Sequence, residues 1–196
     1  MTDTGLHIAF HESRPDGPAA ELAARVSSVV PELETNRLRL RAPEIDDFQL
    51  YAEIMSSDRG RFIVARPVSR ADIWTDFCGT VATWLLRGHG IWSATLKKNS
   101  EPVGFVLIGA EPGDEAHELG FAVSQKVEDQ GIAFEAAAAA RDWAWSVLQV
   151  PRLVSYVDPE NTRSAALARR LGASRGDDRD QETQVFDYPR PEGVAA

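Results

Sequence analysis

The sequence predicts a mixed α+β fold, with a central twisted, mostly antiparallel sheet, one parallel strand pair, and flanking helices. Three observations lead there. Residues 90–97 and 102–110 read as strands joined by the turn-like Lys98-Asn99-Ser100, which makes a hairpin. Residues 115–157 read as strand, helix, strand, and that unit implies one locally parallel pair. Apolar residues recur at helical spacing in four further runs, enough to cover such a sheet.

The elements follow in order. Residues 1–32 read as an extension, packed either on the domain or on a partner. Within it, Leu6–Phe10 suits a short strand. Pro18–Val30 suits a helix capped by Asp16, with Leu22, Val26 and Val29 as an apolar stripe ended by Pro31. The main domain spans 33–190, and 191–196 form a flexible tail. Arg37-Leu38-Arg39-Leu40-Arg41 alternates as a strand with its leucines on one face. Pro43 opens a helix through Ser56, carrying Ile45, Phe48, Tyr51, Ala52 and Met55. A second helix, 70–87, buries Ile73, Phe77, Val81 and Trp84/Leu85 and stops at Gly88.

After the hairpin and the 115–124 strand, a helix covers 131–149. Its expected buried face is Ile132, Ala136, Ala139, Trp143 and Val147. Strand 152–157, helix 161–171, a stop at Gly172 and a last strand near 183–188 complete the chain. The acidic run 177–182 reads as a solvated loop.

Composition bounds the function. With 196 residues, 43% hydrophobic and 26% charged, the chain suits one soluble domain. A formal charge of −9 disfavours nucleic acid and anionic membrane as partners. Cys78 stands alone, so an intrachain disulfide is excluded, and it reads as a buried structural thiol. No metal-ligating set is apparent. Met1-Thr2-Asp3-Thr4-Gly5 lacks the basic start of a signal peptide, and no apolar run approaches about 18 residues, so a cytoplasmic location is expected.

The chemistry concentrates in 118–137. Alternation places His117, Leu119, Phe121 and Val123 on one strand face and Glu118, Gly120 and Ala122 on the other. The second face is small apart from one carboxylate. The helix that follows opens at Gly131-Ile132-Ala133, so the N–H groups of Gln130 to Phe134 lie at the positive end of its dipole, ready for phosphate.

Taken together, these segments resemble the GNAT N-acetyltransferases, in the branch resembling ribosomal-protein alanine acetyltransferases (RimJ/RimL-like). The matching residues are Leu33 to Arg41, Gly90-Ile91-Trp92, Glu118-Leu119-Gly120-Phe121, Gly131 to Ala136, Asp158-Pro159-Glu160-Asn161 with Ser164, and Leu171-Gly172-Ala173. The resemblance implies transfer of an acetyl group from acetyl-CoA, as co-substrate, to a primary amine, either a peptide N-terminus or a small molecule. It implies cofactor contacts from Phe121, Ala122, Val123, Gln130, Gly131, Ile132, Ala133, Phe134 and Asn161. It further implies Glu118 as base and Ser164 as donor to the leaving thiolate.

For Glu118 a surface carboxylate stays open as the other reading. For Asn161 and Ser164 the other reading is a helix cap and a small packing residue. Where relatives carry a tyrosine acid, this chain has Ala168. The loop also departs from the family's Gln/Arg-Gly-x-Gly-x-Gly/Ala pattern, because Glu128 and Asp129 fill its first two positions. Pointing inward, such charges about 4–6 Å from phosphate would repel it by about 3–4 kcal/mol at surface-like screening; pointing to solvent, they would cost little. A non-catalytic GNAT-like binding module is therefore the alternative, and a homodimer through the extension is a further expectation.

Overall fold

Short-range alternation and one parallel crossover build the sheet. The computed structural model describes residues 9–64, 67–177, 179–180 and 183–193. Among the described residues eight strands form one sheet: β1 (Leu33–Glu34), β2 (Leu38–Arg41), β3 (Ile91–Leu96), β4 (Pro102–Gly109), β5 (His117–Val123), β6 (Leu153–Val157), β7 (Ser174–Arg175) and β8 (Gln184–Asp187). Their order is β1-β2-β3-β4-β5-β6-β8-β7. Every neighbour pairs antiparallel except β5 and β6, which run parallel. The predicted fold class is the one observed. β1 and β7 escaped prediction because two residues are too few to show alternation.

The helices are α1 (Gly17–Ser27), α2 (Asp47–Ser56), α3 (Arg70–Arg87), α4 (Ile132–Trp143) and α5 (Thr162–Arg170). Phe48 and Tyr51 of α2 and Ile73 and Phe77 of α3 pack with Phe105 on one side of the sheet. Ile132, Ala136 and Ala140 of α4 and Ala165 and Ala168 of α5 pack with Leu119 and Leu153 on the other. Trp84, Trp92 and Trp143 meet edge to face in that second core, with centroids 4.6 to 5.8 Å apart.

Local chemistry explains the helix limits. α3 keeps its predicted bounds because Ser69 and Asp72 form a reciprocal capping box and Gly88 ends it at φ +71°. α2 starts at Asp47 rather than Pro43. The Asp47 carboxylate accepts the Glu44 N–H at 2.7 Å, which holds the residues before it in a turn. The same carboxylate takes a bidentate pair from Arg41 at 2.7 and 2.9 Å and the Ser93 hydroxyl at 2.7 Å, and its side chain is 2% exposed.

α4 ends earlier than predicted. It passes at Ala144–Leu148 into one π-helical turn, which spends an extra residue and rotates the apolar face. Ala144 and Trp145 are therefore buried and Val147 turns out to solvent; in the regular helix before the turn, Ala137 and Ala140 are buried and Ala139 is half-buried.

The extension departs from its pattern. Most of the expected Leu6–Phe10 strand lies outside the described residues, and Phe10 opens a single 3-10 turn. The α1 stripe of Leu22, Val26 and Val29 faces solvent rather than a core. Polar contacts fasten the segment to α2 and α3: Arg14 to Asp46 at 2.6 Å, Glu12 to Arg70 at 2.7 Å, and the His11 ring edge-on to Trp74. Cys78 is exposed, contrary to expectation, because it follows the buried Phe77 onto the outer side of α3.

Truncating Asp47 leaves the Arg41 guanidinium without its buried counter-charge. Asp47→Ala is expected to lower unfolding free energy by about 3–5 kcal/mol, read from urea denaturation, with a smaller loss for Asp47→Asn.

Candidate active site

The site opens where β5 and β6 part. Their parallel ladder registers only His117 with Leu153 and Glu118 with Val154. Beyond that point the Ser155 hydroxyl, not a backbone group, donates to the Leu119 carbonyl at 2.6 Å and meets Tyr188 Oη at 3.0 Å. Residues 120–123 still pair with β4 on their other side. Their β6-facing backbone edge is thus released into an open cleft of about 1240 Å³.

Of the sequence-derived residues, Phe121, Ala122, Val123, Gly131, Ile132, Ala133, Phe134, Asn161 and Ser164 line this cleft. Gln130 does not. Its side-chain amide donates to the Lys126 carbonyl at 3.0 Å, and its own carbonyl accepts from Arg37 at 2.9 Å. The small β5 face is not empty throughout: Leu107 packs over Gly120, where an added Cβ would meet it at 3.0 Å. Asn161 Oδ1 caps α5 by accepting the Ser164 N–H at 3.2 Å while also facing the cleft.

The start of α4 is held from behind. Gly131 is its N-cap at φ +76°, and the first intrahelical bond runs from Glu135 N–H to the Gly131 carbonyl at 3.1 Å. The N–H groups of Ile132, Ala133 and Phe134 precede that bond and are the orphan donors of the helix start. Glu135 anchors the turn by accepting the Thr35 hydroxyl at 2.5 Å, the Arg37 backbone N–H at 2.7 Å and Arg37 Nε at 2.6 Å. Asp129 stands at φ +57°, in the left-handed region that a glycine would occupy by preference. The loop thus keeps a glycine-type backbone without the glycine.

The acids at 128 and 129 do not stand alone. Arg59, in the turn after α2, pairs with Glu128 Oε1. Arg163, in the first turn of α5, reaches Glu128 Oε2 at 3.2 Å and both Asp129 oxygens at 2.9 and 3.1 Å. The cleft lining carries five basic and four acidic side chains, in a chain whose formal charge is −9. The sequence reading missed Arg59 and Arg163. The available signal was the pair of acids itself, since charge at a binding loop calls for a partner.

Glu118 sits at the fork where β5 leaves β6, outside the cleft lining. Its carboxyl is pushed up to about 7, first by burial and then by the nearby Glu111 and Asp114 carboxylates. The Tyr156 backbone N–H and Arg179 pull the other way. Glu111 is itself raised, by burial and by Asp114 and Asp76. Asp76 in turn accepts the Tyr51 hydroxyl at 2.5 Å. Tyr188 is pushed up to about 12, chiefly by burial. Among the described residues no group of His, Cys, Asp and Glu suits a metal ion, and no helix is long and apolar enough to cross a membrane.

At Gly131 an added Cβ would find only Arg37 at 3.5 Å, an ordinary contact, so the cost of a side chain is its positive φ. Gly131→Ala is expected to lose about 1–2 kcal/mol in chemical denaturation. Asp129→Gly should stay within about 1 kcal/mol of the parent, because relief of its φ offsets the loss of an exposed ion pair.

The chain is similar in sequence and fold to known proteins. The family profile described as an acetyltransferase (GNAT) domain matches residues 37–174. An uncharacterized N-acetyltransferase of Bacillus licheniformis is 25% identical over 166 residues, covering 82% of this chain and 89% of that one. The crystal structure of an acetyltransferase from Agrobacterium tumefaciens superposes with TM-score 0.76 at 37% identity, covering 82% of this chain and 95% of that one. A putative ribosomal-protein-serine acetyltransferase from Vibrio cholerae shares the fold, with TM-score 0.65 at 22% identity over 82% of this chain and 98% of that one. The chain belongs to the GNAT acetyltransferase family.

Proposed function

We propose that the protein transfers an acetyl group from acetyl-CoA to a primary amine, on a small molecule or a peptide N-terminus, by direct attack. The observation that carries this reading is the joint geometry of the cleft. A row of orphan N–H donors at the α4 start lines one cleft with a released β5 edge, and a carboxyl raised to about 7 sits outside that lining, at the fork where β5 leaves β6.

Acetyl-CoA, when bound, supplies the acyl group as a thioester. The N–H groups of Ile132, Ala133 and Phe134, aligned with the helix dipole, hold its phosphates. The free N–H groups on the β5 edge hydrogen-bond the thioester carbonyl and draw charge onto its oxygen. Glu118, directly or through a water, takes the proton that the attacking nitrogen must lose as the C–N bond forms. The Ser164 hydroxyl, on the cleft wall, donates to the sulfur as the C–S bond breaks and is reprotonated from solvent. A carboxyl half-ionised near neutrality suits a base at cellular pH. Glu111, Asp114 and Asp76 give this end of the site a negative field that favours a cationic acceptor.

The non-catalytic reading drew on the charge of Glu128 and Asp129 and on Ala168, which stands where relatives carry a tyrosine acid. Pairing with Arg59 and Arg163 answers the first ground, because two carboxylates and two guanidiniums carry no net charge.

Thiol release from acetyl-CoA across a broad amine panel tests the reading. Glu118→Gln should lower kcat/KM by about 10²- to 10⁴-fold, the usual worth of a general base, while leaving acetyl-CoA affinity near the parent value. In the parent, protonation of Glu118 should cut kcat/KM about fivefold between pH 7 and pH 6, and Glu118→Gln should lose that limb. Absence of both thiol release and acetyl-CoA-induced thermal stabilisation would remove the proposal.

A further inference from the structure

Glu128 holds two arginines from distant parts of the chain at the mouth of the cleft. Arg59 meets one carboxylate oxygen, and Arg163 meets the other at 3.2 Å. Asp129 takes the second arm of the Arg163 fork at 2.9 Å. The Glu128 side chain is 13% exposed, whereas Arg59 and Arg163 are 42% and 53% exposed. Each guanidinium commits only part of its five-donor fork to the acids while its side chain lines the cleft. All four side chains line the same cleft as Gly131, Ile132 and Ala133.

We propose that Glu128 is a positioning residue that presents Arg59 and Arg163 to the phosphate groups of the anionic co-substrate. The proposal rests on the acyl-CoA reading above. An arginine that must search for its ligand loses rotamer freedom on binding, and an anchor that fixes it beforehand removes that loss. Glu128 supplies the anchor from the loop itself, so the two cations and the α4 donors keep a fixed mutual geometry. Asp129 squares the Arg163 fork against the loop. A phosphate approaching this cluster meets N–H donors and no net repulsion.

Arg163 comes from α5 and Arg59 from the turn after α2, so the anchored pair also bridges the two walls of the cleft. This chain thus carries at 128 the counter-ion of its phosphate cations, where relatives of the sequence pattern place a polar or basic side chain.

The test is calorimetric titration of the whole chain with acetyl-CoA, adenosine 3′,5′-bisphosphate and phosphate-free pantetheine, at low and high salt. The variants are Arg59→Gln, Arg163→Gln and Glu128→Gln. Arg39→Gln is the charge control, since Arg39 lies on β2 beside Glu32 and Glu34, away from the cleft. Each cleft arginine variant should weaken acetyl-CoA and the bisphosphate about tenfold, flatten the salt dependence, and leave pantetheine unchanged. Glu128→Gln should also weaken acetyl-CoA, about three- to tenfold, even though it removes a negative charge from the site.

Simple repulsion predicts the opposite sign, so tighter or unchanged binding by Glu128→Gln overturns the proposal. Parent-like affinity in both arginine variants overturns it as well, and those two variants decide the matter if Glu128→Gln does not fold. A parent protein that binds the bisphosphate but not acetyl-CoA would sink the acyl-CoA reading and leave the presented arginines standing. Binding of neither would sink both.

Discussion

The parting of β5 from β6 is the constraint on which the rest of the molecule depends. Parallel strands normally satisfy one another along their length, yet this pair stays together for two registered residues only. The separation is fixed rather than frayed. The Ser155 hydroxyl occupies the Leu119 carbonyl and leans on Tyr188, so a side chain ends the ladder where a backbone group would have continued it. Backbone donors on the β5 edge are then left to water or to a ligand. The same fork buries Glu118 among other carboxylates, which is why its proton is held to about neutrality.

The residues around that opening gather helix-start N–H donors and paired charges in an acidic protein. The helix dipole of α4 points its positive end at the cleft, but a dipole acts only over its first turn. The start of α4 must therefore be fixed. Glu135 does this by binding Thr35 and Arg37 from the segment leading into β2, three hydrogen bonds to one carboxylate. The loop before it keeps a left-handed backbone at Asp129 and places its two acids against guanidiniums. Charge that looks hostile to phosphate along the sequence is balanced in space. The core beneath supplies rigidity, through the edge-to-face tryptophans on one side of the sheet and Phe48, Tyr51 and Phe77 on the other.

Elements whose signals are local could be read from the sequence. α3 was legible at both ends because Ser69, Asp72 and Gly88 are capping residues that act within one turn. The β3–β4 hairpin was legible because alternation and a three-residue turn agree. Gly131 announced the start of α4 for the same reason. The π turn at Ala144–Leu148 was not legible, since a single extra residue per turn leaves no mark in a helical period. The α1 stripe misled because periodicity shows which residues share a face and not whether anything covers it. Cys78 misled in the same way, one residue from a buried Phe77.

The sequence by itself determined the order of the longer strands and the helices, the one parallel crossover, the glycine-led helix start and the strand that carries Glu118. These follow from interactions between residues a few positions apart, which composition and spacing encode directly. Only the tertiary structure decided that Glu128 and Asp129 are paired, that β5 and β6 separate at Ser155, and that Glu118 titrates near neutrality. The physical reason is common to all three. Burial, counter-charge and ladder termination arise between residues tens of positions apart, as Arg59 and Arg163 are from Glu128, and their energies exist only once the chain has brought them together.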